Sequence, residues 1–135
     1  MARPYLGGTN GGVKAVSAAV TLTTADSSKK IFVTEGSANY DITLPAVSNI
    51  GCEFTFILTA SPSSYDIDVV SAAGDDIIGL EFADEDTAAA SDSDWDKITF
   101  NSAAVAGSYA TFVSNGTNWF AHMFGSSDSA FSQTD

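Results

Sequence analysis

One cysteine, Cys52, one histidine, His122, and five cationic side chains are all that this 135-residue chain offers of the residue types on which most site chemistry depends. A lone cysteine cannot close an intramolecular disulfide, so a stapled secreted scaffold is excluded. No apolar run approaches the roughly 20 residues that a membrane-spanning helix needs. Met1-Ala2-Arg3-Pro4 is not followed by the apolar stretch of a secretory signal. A soluble protein made in a cytoplasm is expected. Charged residues make up 16% of the chain, against about 25% in typical domains, so its surface is built largely from Ser, Thr, Asn, Gly and Ala.

The composition is otherwise apolar and acidic. A chain of this length buries roughly two-thirds of its unfolded surface as one domain, without a metal or a crosslink. The net charge of −12 is unevenly spread. Residues 1–30 carry Arg3, Lys14, Lys29 and Lys30 against Asp26, a balance of +3; the remainder carries Lys97 against sixteen acids, a balance of −15. Phosphates are repelled by such a body, which excludes a nucleic-acid partner, and nothing points to a membrane. A mildly basic beginning on an acidic body predicts two surfaces, one docked and one facing solvent.

Residues 1–12 place Gly7-Gly8 and Gly11-Gly12 around Thr9-Asn10 and read as a flexible N-terminal arm. The apolar triplet Pro4-Tyr5-Leu6 is out of place on a free tail and predicts an arm that orders on a partner. From there the hydrophobic period is two, and residues 13–125 read as a single β domain. Val16, Ala18, Val20 and Leu22 share one face of a first expected strand. Ile31 to Thr34 forms a second, and Tyr40, Ile42 and Leu44 line a third that Pro45 ends. The clearest alternation is Cys52, Phe54, Phe56 and Leu58 against Glu53, Thr55 and Thr59. Further strands carry Tyr65, Ile67 and Val69; Ile78, Leu80 and Phe82; Ile98 and Phe100; Tyr109 to Val113; and Trp119 to Phe124. Asn115-Gly116 between the last two is a strong hairpin signal. Eight or nine short strands with no convincing amphipathic helix predict an all-β, antiparallel β-sandwich or jelly-roll-like domain. One helical turn around Asp84 to Ala90 would not change that class. No internal repeat of solenoid length is visible. Residues 126–135 read as a polar C-terminal tail with one stray aromatic, Phe131.

Few residues suggest catalysis. If Trp119, Ala121 and Met123 face the core, His122 shares the opposite face with Phe120 and Phe124, as a surface or interface residue. Cys52 begins the most regular apolar face and reads as a buried thiol. Nine of the seventeen acids fall within residues 75–96. Asp92-Ser93-Asp94-Trp95-Asp96 has the alternating oxygens that open a calcium loop. Lys97 takes the place of the loop's glycine and Ala103 that of its bidentate glutamate, so this is not an EF-hand. A solvated acidic loop is the default reading, with a less regular calcium site between loops 75–96 as the alternative; no metal ligand is assigned and no cofactor is expected. Gly7-Gly8-Thr9-Asn10-Gly11-Gly12 lacks the Gly-Lys-Ser/Thr ending of a phosphate loop. Trp95, set among aspartates, is expected to be an exposed contact residue, whereas Trp119 beyond the hairpin is expected in the core.

Leu44-Pro45-Ala46, the strand carrying Phe54 and Phe56 after Gly51, and Ser114-Asn115-Gly116-Thr117-Asn118-Trp119 form a recognisable set. With the Tyr5-Leu6-Gly7-Gly8 arm and Thr21 to Ser27, they resemble small β-rich virion proteins of tailed bacteriophages. Within that group the chain is most similar to head decoration, or cement, proteins of marine phages. The resemblance implies a non-enzymatic homotrimer on the outer capsid surface of the virion, bound to the major capsid protein. It assigns docking to Arg3, Pro4, Tyr5 and Leu6. The leucine-proline-alanine and glycine-threonine-x-tryptophan elements also occur in phage fibre domains. The competing expectation is therefore a tail or head-fibre module that binds host-surface glycan or protein, with Trp95 in contact.

Overall fold

In a computed structural model of the chain, residues 12–83 and 89–135 are described. Alternating apolar residues place β-structure nearly throughout, and the strands are more numerous and shorter than the pattern suggests. They are β1 (Val13–Val16), β2 (Val20–Thr21), β3 (Lys30–Val33), β4 (Tyr40–Thr43), β5 (Glu53–Leu58) and β6 (Ile67–Val70). The second half adds β7 (Asp76–Ala83), β8 (Ala89–Trp95), β9 (Lys97–Phe100), β10 (Tyr109–Ser114), β11 (Asn118–Gly125) and β12 (Phe131–Thr134). Among the described residues the only helical element is the 3-10 turn Thr24–Asp26, and no helix is long and apolar enough to cross a membrane.

The strands form two mixed sheets. One has seven strands in the order β1-β3-β5-β10-β11-β7-β8, the other five in the order β12-β9-β6-β4-β2. The all-β expectation holds, but the sheets are not purely antiparallel. The first six strands alternate between the sheets, so β1, β3 and β5 lie parallel in one and β2, β4 and β6 parallel in the other. Parallel neighbours need a long crossover, and here each crossover runs through the opposite sheet. This half of the chain is therefore a short coil of stacked turns. Its turns are unequal: the one that carries Val13 round to Lys30 is shorter than the one that carries Lys30 round to Thr55. Unequal turns leave no fixed sequence period. The second half returns by antiparallel pairings, β10 on β5 and on β11, and β9 on β6 and on β12, with β7 parallel to β11.

One core lies between the sheets. Ile31, Val33, Phe54, Phe56, Leu58, Phe112 and Trp119 enter it from the larger sheet, and Ile42, Ile67, Val69, Ile98 and Phe100 from the smaller. Phe56 meets Phe112 edge-on at 5.5 Å between ring centres, and Phe54 lies 5.8 Å from Trp119. Pairs of this kind add about 0.5–1.5 kcal/mol beyond the area they bury. The Asn115-Gly116 hairpin joins β10 and β11 as expected. Gly116 adopts φ 95°, and the Asn115 side-chain oxygen accepts the N–H groups of Thr117 and Asn118.

Three further expectations are corrected. The first expected strand breaks after Val16, because its continuation, β2, belongs to the other sheet and Ala18 at the crossing is exposed. Residues 126–135 are not a tail. Phe131 is buried with its ring 4.9 Å from Phe100, and β12 pairs with β9 at the edge of the five-stranded sheet. The aromatic that reads as stray is the anchor of that strand. Trp95 is buried, with 5% of its surface exposed, because β8 lies against β7 and turns the indole over Gly79. The turn expected at Asp84 to Ala90 falls largely outside the described residues, and Ala89 and Ala90 belong to β8.

Polar contacts close the connections. The Lys14 and Lys29 ammonium groups lie 3.0 and 2.8 Å from Asp26. Burial alone would raise the Asp26 carboxyl, but Lys29, Lys14 and the Thr23 N–H outweigh it and hold it well below the usual carboxylate range. Glu35 accepts the backbone N–H groups of Ser63, Ser64 and Tyr65 and fastens the loop between β5 and β6. Those bonds, led by that of Ser64, lower its pKa from 4.5 to about 2. A carboxyl that titrates lower when folded adds stability that is complete above about pH 4.5 and is lost as pH falls towards 2. Glu35→Ala is expected to lower the urea midpoint modestly at pH 7 and to match the parent near pH 2. Equal midpoints at both pH values would show that the clamp contributes nothing.

Candidate functional site

With the core filled from both sides, the outward strand positions decide what the protein can touch, and the two outer faces differ in kind. On the five-stranded sheet, Asp41, Asp68, Thr99 and Ser132 form one row across β4, β6, β9 and β12. Thr43, Val70, Lys97 and Thr134 form the next. Lys97 donates to one Asp68 oxygen at 2.9 Å and Thr99 to the other. The Asp68 hydrogen bond raises the Lys97 pKa despite partial desolvation. This face is polar and internally satisfied, as expected of one in water.

The outer face of the seven-stranded sheet is apolar. Ala15, Phe32, Ile57, Tyr109, Phe124 and Phe82 lie side by side across six strands. The Phe124 ring stacks between its neighbours, 4.6 Å from Tyr109 and 4.8 Å from Phe82, with planes 16° and 10° apart. Leu80, His122, Thr111, Thr55 and Lys30 form the adjoining, more polar row, and Ile78, Phe120, Val113 and Glu53 the one beyond. Phe82, Phe120 and Val113 are 40%, 39% and 43% exposed.

The strand β7 explains why the sequence conceals this face. Ile78, Leu80 and Phe82 alternate like a core strand, but the core is entered by Ile77, Gly79 and Glu81 instead. Shifting by one position exchanges the faces completely, and the neighbouring Ile77-Ile78 fits either choice. Glu81 consequently sits in the core with 4% of its surface exposed. Gln133 of β12 donates to one of its oxygens at 2.9 Å, and the other has no hydrogen-bond partner among the described residues. Burial, with the nearby Asp128, raises its pKa, while the Gln133 hydrogen bond opposes the rise. The Gln133 hydrogen bond joins β7 to β12 through this carboxyl.

His122 stands on the outer face with Phe120 and Phe124, while Trp119, Ala121 and Met123 face the core. Cys52 is buried. The two stand on opposite sides of the seven-stranded sheet and do not form a nucleophile–base pair. Asp92 to Trp95 are the end of strand β8 rather than a loop, and Asp96 alone separates them from β9. Among the described residues no three His, Cys, Asp or Glu side chains converge as metal ligands. Arg3, Pro4, Tyr5 and Leu6 lie outside the described residues. Of residues 1–12 only Gly12 is described; its carbonyl accepts the Lys30 N–H at 2.9 Å. Lys14 and Lys29 are committed to Asp26, which leaves Arg3 and Lys30 as the remaining cations of residues 1–30.

No protein-family model matches the chain, and no curated protein matches it.

Proposed function

We propose that this protein is a structural component of a bacteriophage virion, a decoration protein that seats on the outer surface of the head and stabilises the shell. The body is read as a β-sandwich-like unit, working as a homotrimer, and the partner is the major capsid protein. The observation that carries the reading is the N-terminal end of the coil. There, among the described residues, β1 and β2 are edge strands of the two sheets, and residues 1–12 precede β1 in the chain. An arm that binds a neighbouring surface would draw an unpaired strand edge against it, where backbone groups await partners. Each arm alone is a weak ligand, because ordering it on docking costs conformational entropy. Joined in one trimer, three arms gain about 10²–10⁴ in avidity when the sites match their spacing. Bridged capsid subunits then resist outward pressure together.

The motifs behind the phage resemblance fall at structurally definite places. Leu44-Pro45-Ala46 follows β4, and Ser114 to Trp119 spans the hairpin between β10 and β11. The fibre-module reading loses its contact residue, since Trp95 is covered. Deletion of residues 1–12 is expected to abolish binding to assembled, undecorated capsids while leaving the far-ultraviolet circular dichroism unchanged. A truncated chain that still saturates capsids would remove docking from the arm.

A further inference from the structure

We infer that the outer face of the seven-stranded sheet is a self-association surface, covered in solution by a second copy of this chain. It rests on the sheet geometry alone, whether or not the capsid reading holds.

The row from Ala15 to Phe82 crosses six strands and is therefore about 24 Å long at the usual strand spacing. With the rows of His122 and Phe120 it leaves on the order of 600 Å² exposed, taking a Phe at two-fifths exposure as about 80 Å². Two copies would bury about 1,200 Å² together, the lower bound of a stable specific interface. A patch of about 600 Å² is the upper end of the largest patch on a typical monomer, a size that often marks a functional surface. The surface is built on paired strands, so it needs little ordering on association.

The chemistry favours a copy over other occupants. An anionic membrane would repel a body of net charge −12. A small ligand needs a concave pocket, whereas the groove beside Tyr109 and Phe124 on this face is shallow and open. Interfaces between identical subunits are more apolar than those of transient complexes, and on this face the aromatic row and the Phe120–Val113 pair flank the row of His122 and Thr111. Among the described side chains, the charged ones placed on it are Lys30, Glu53, Asp76 and Asp94, all outside the aromatic row. Asp76 begins β7 and Phe82 lies near its other end, about 20 Å away along an extended strand. That exceeds the roughly 8 Å Debye length at physiological salt, so Asp76 opposes contact through the aromatic row only weakly, whereas the Phe120 row has Glu53 at its edge.

The test is sedimentation of the full chain at about 10 μM, a concentration that a modest interface saturates. The parent is expected to sediment as a multimer of the 14.0 kDa chain. The double variant Phe82→Asp/Phe120→Asp is expected to sediment as a monomer with unchanged circular dichroism, its association weakened more than about a hundredfold. Thr111→Arg, a smaller change at a half-buried position of the same face, is expected to do the same if the double variant does not fold. Val70→Asp on the opposite sheet should leave the multimer intact. A monomeric parent overturns the inference, as does a multimer that survives both Phe82→Asp/Phe120→Asp and Thr111→Arg. A multimer that ignores capsids would sink the capsid reading alone, and a monomer that coats capsids would sink the self-association surface alone.

Discussion

Trp119→Ala is expected to destabilise the protein by about 3–5 kcal/mol, the range for deleting a large aromatic from a packed core. The stability of a domain is about 5–15 kcal/mol, so this single change approaches unfolding. Trp119 has no exposed surface, touches Phe54, and sits on β11 between β10 and β7, near the middle of the larger sheet. Its indole nitrogen has no hydrogen-bond partner among the described residues. Truncation therefore strands no acceptor, and the cost is the cavity and the lost apolar contacts. Trp119→Phe is accordingly expected to be much milder, since it also removes a buried N–H without a partner. Urea denaturation of both variants checks the pair. A loss below about 1 kcal/mol for Trp119→Ala would show that the two sheets do not close on this ring.

Gly79→Ala is the second large effect, and its sign is unusual. At a site with room, replacing glycine by alanine stabilises by about 0.4–1 kcal/mol because the unfolded chain loses freedom. Here a Cβ would fall 2.5 Å from the Trp95 ring and 3.3 Å from the Ala121 carbonyl. The ring is buried and cannot give way within the core, so the methyl group displaces it. A net loss of about 1–3 kcal/mol, typical of overpacking, is expected. One of the two tryptophans should then become accessible to an aqueous quencher, while Trp119 stays protected. Gly79→Ala with raised stability and both tryptophans shielded would place Trp95 elsewhere.

The inward sets of the central strands are legible in the sequence. Phe54, Phe56 and Leu58 alternate with polar neighbours, and only one parity buries them. The two faces of β11 follow in the same way, with His122 on the outer one. Sheet membership is not legible, because a period of two says which side of a strand is wet but not which sheet the strand joins. The coil of β1 to β6 depends on that choice and on turns of unequal length. A related ambiguity hides the aromatic face. In β7 both Ile77 and Ile78 can face inward, and local pattern prefers the parity that buries Phe82. The outcome is decided by contacts distant in sequence: Trp95 over Gly79, and Gln133 reaching Glu81. Trp95 misleads for the opposite reason. Its aspartate neighbours suggest a wet loop, yet exposed Asp94 and Asp96 flanking a buried Trp95 are the alternation of a strand with one face in the core. Phe131 escapes notice because so short a segment at a chain end carries too little pattern to announce an edge strand.

The division of labour that emerges differs from the one composition suggests. Two of the four cations of residues 1–30 are taken up by Asp26, so on the proposed reading docking through Arg3, Pro4, Tyr5 and Leu6 would carry the charge of Arg3 alone. The acidic, polar sheet is suited to face water. The apolar sheet face is suited to hold copies together.

The proposed capsid role is most directly tested by a reconstruction of phage particles from an infection that expresses this chain. The account predicts density for its two-sheet body on the outside of the head, at three-fold or quasi-three-fold positions, with an extended segment reaching over neighbouring capsid subunits. Density for the body confined to the tail or its fibres, with a bare shell, would contradict it.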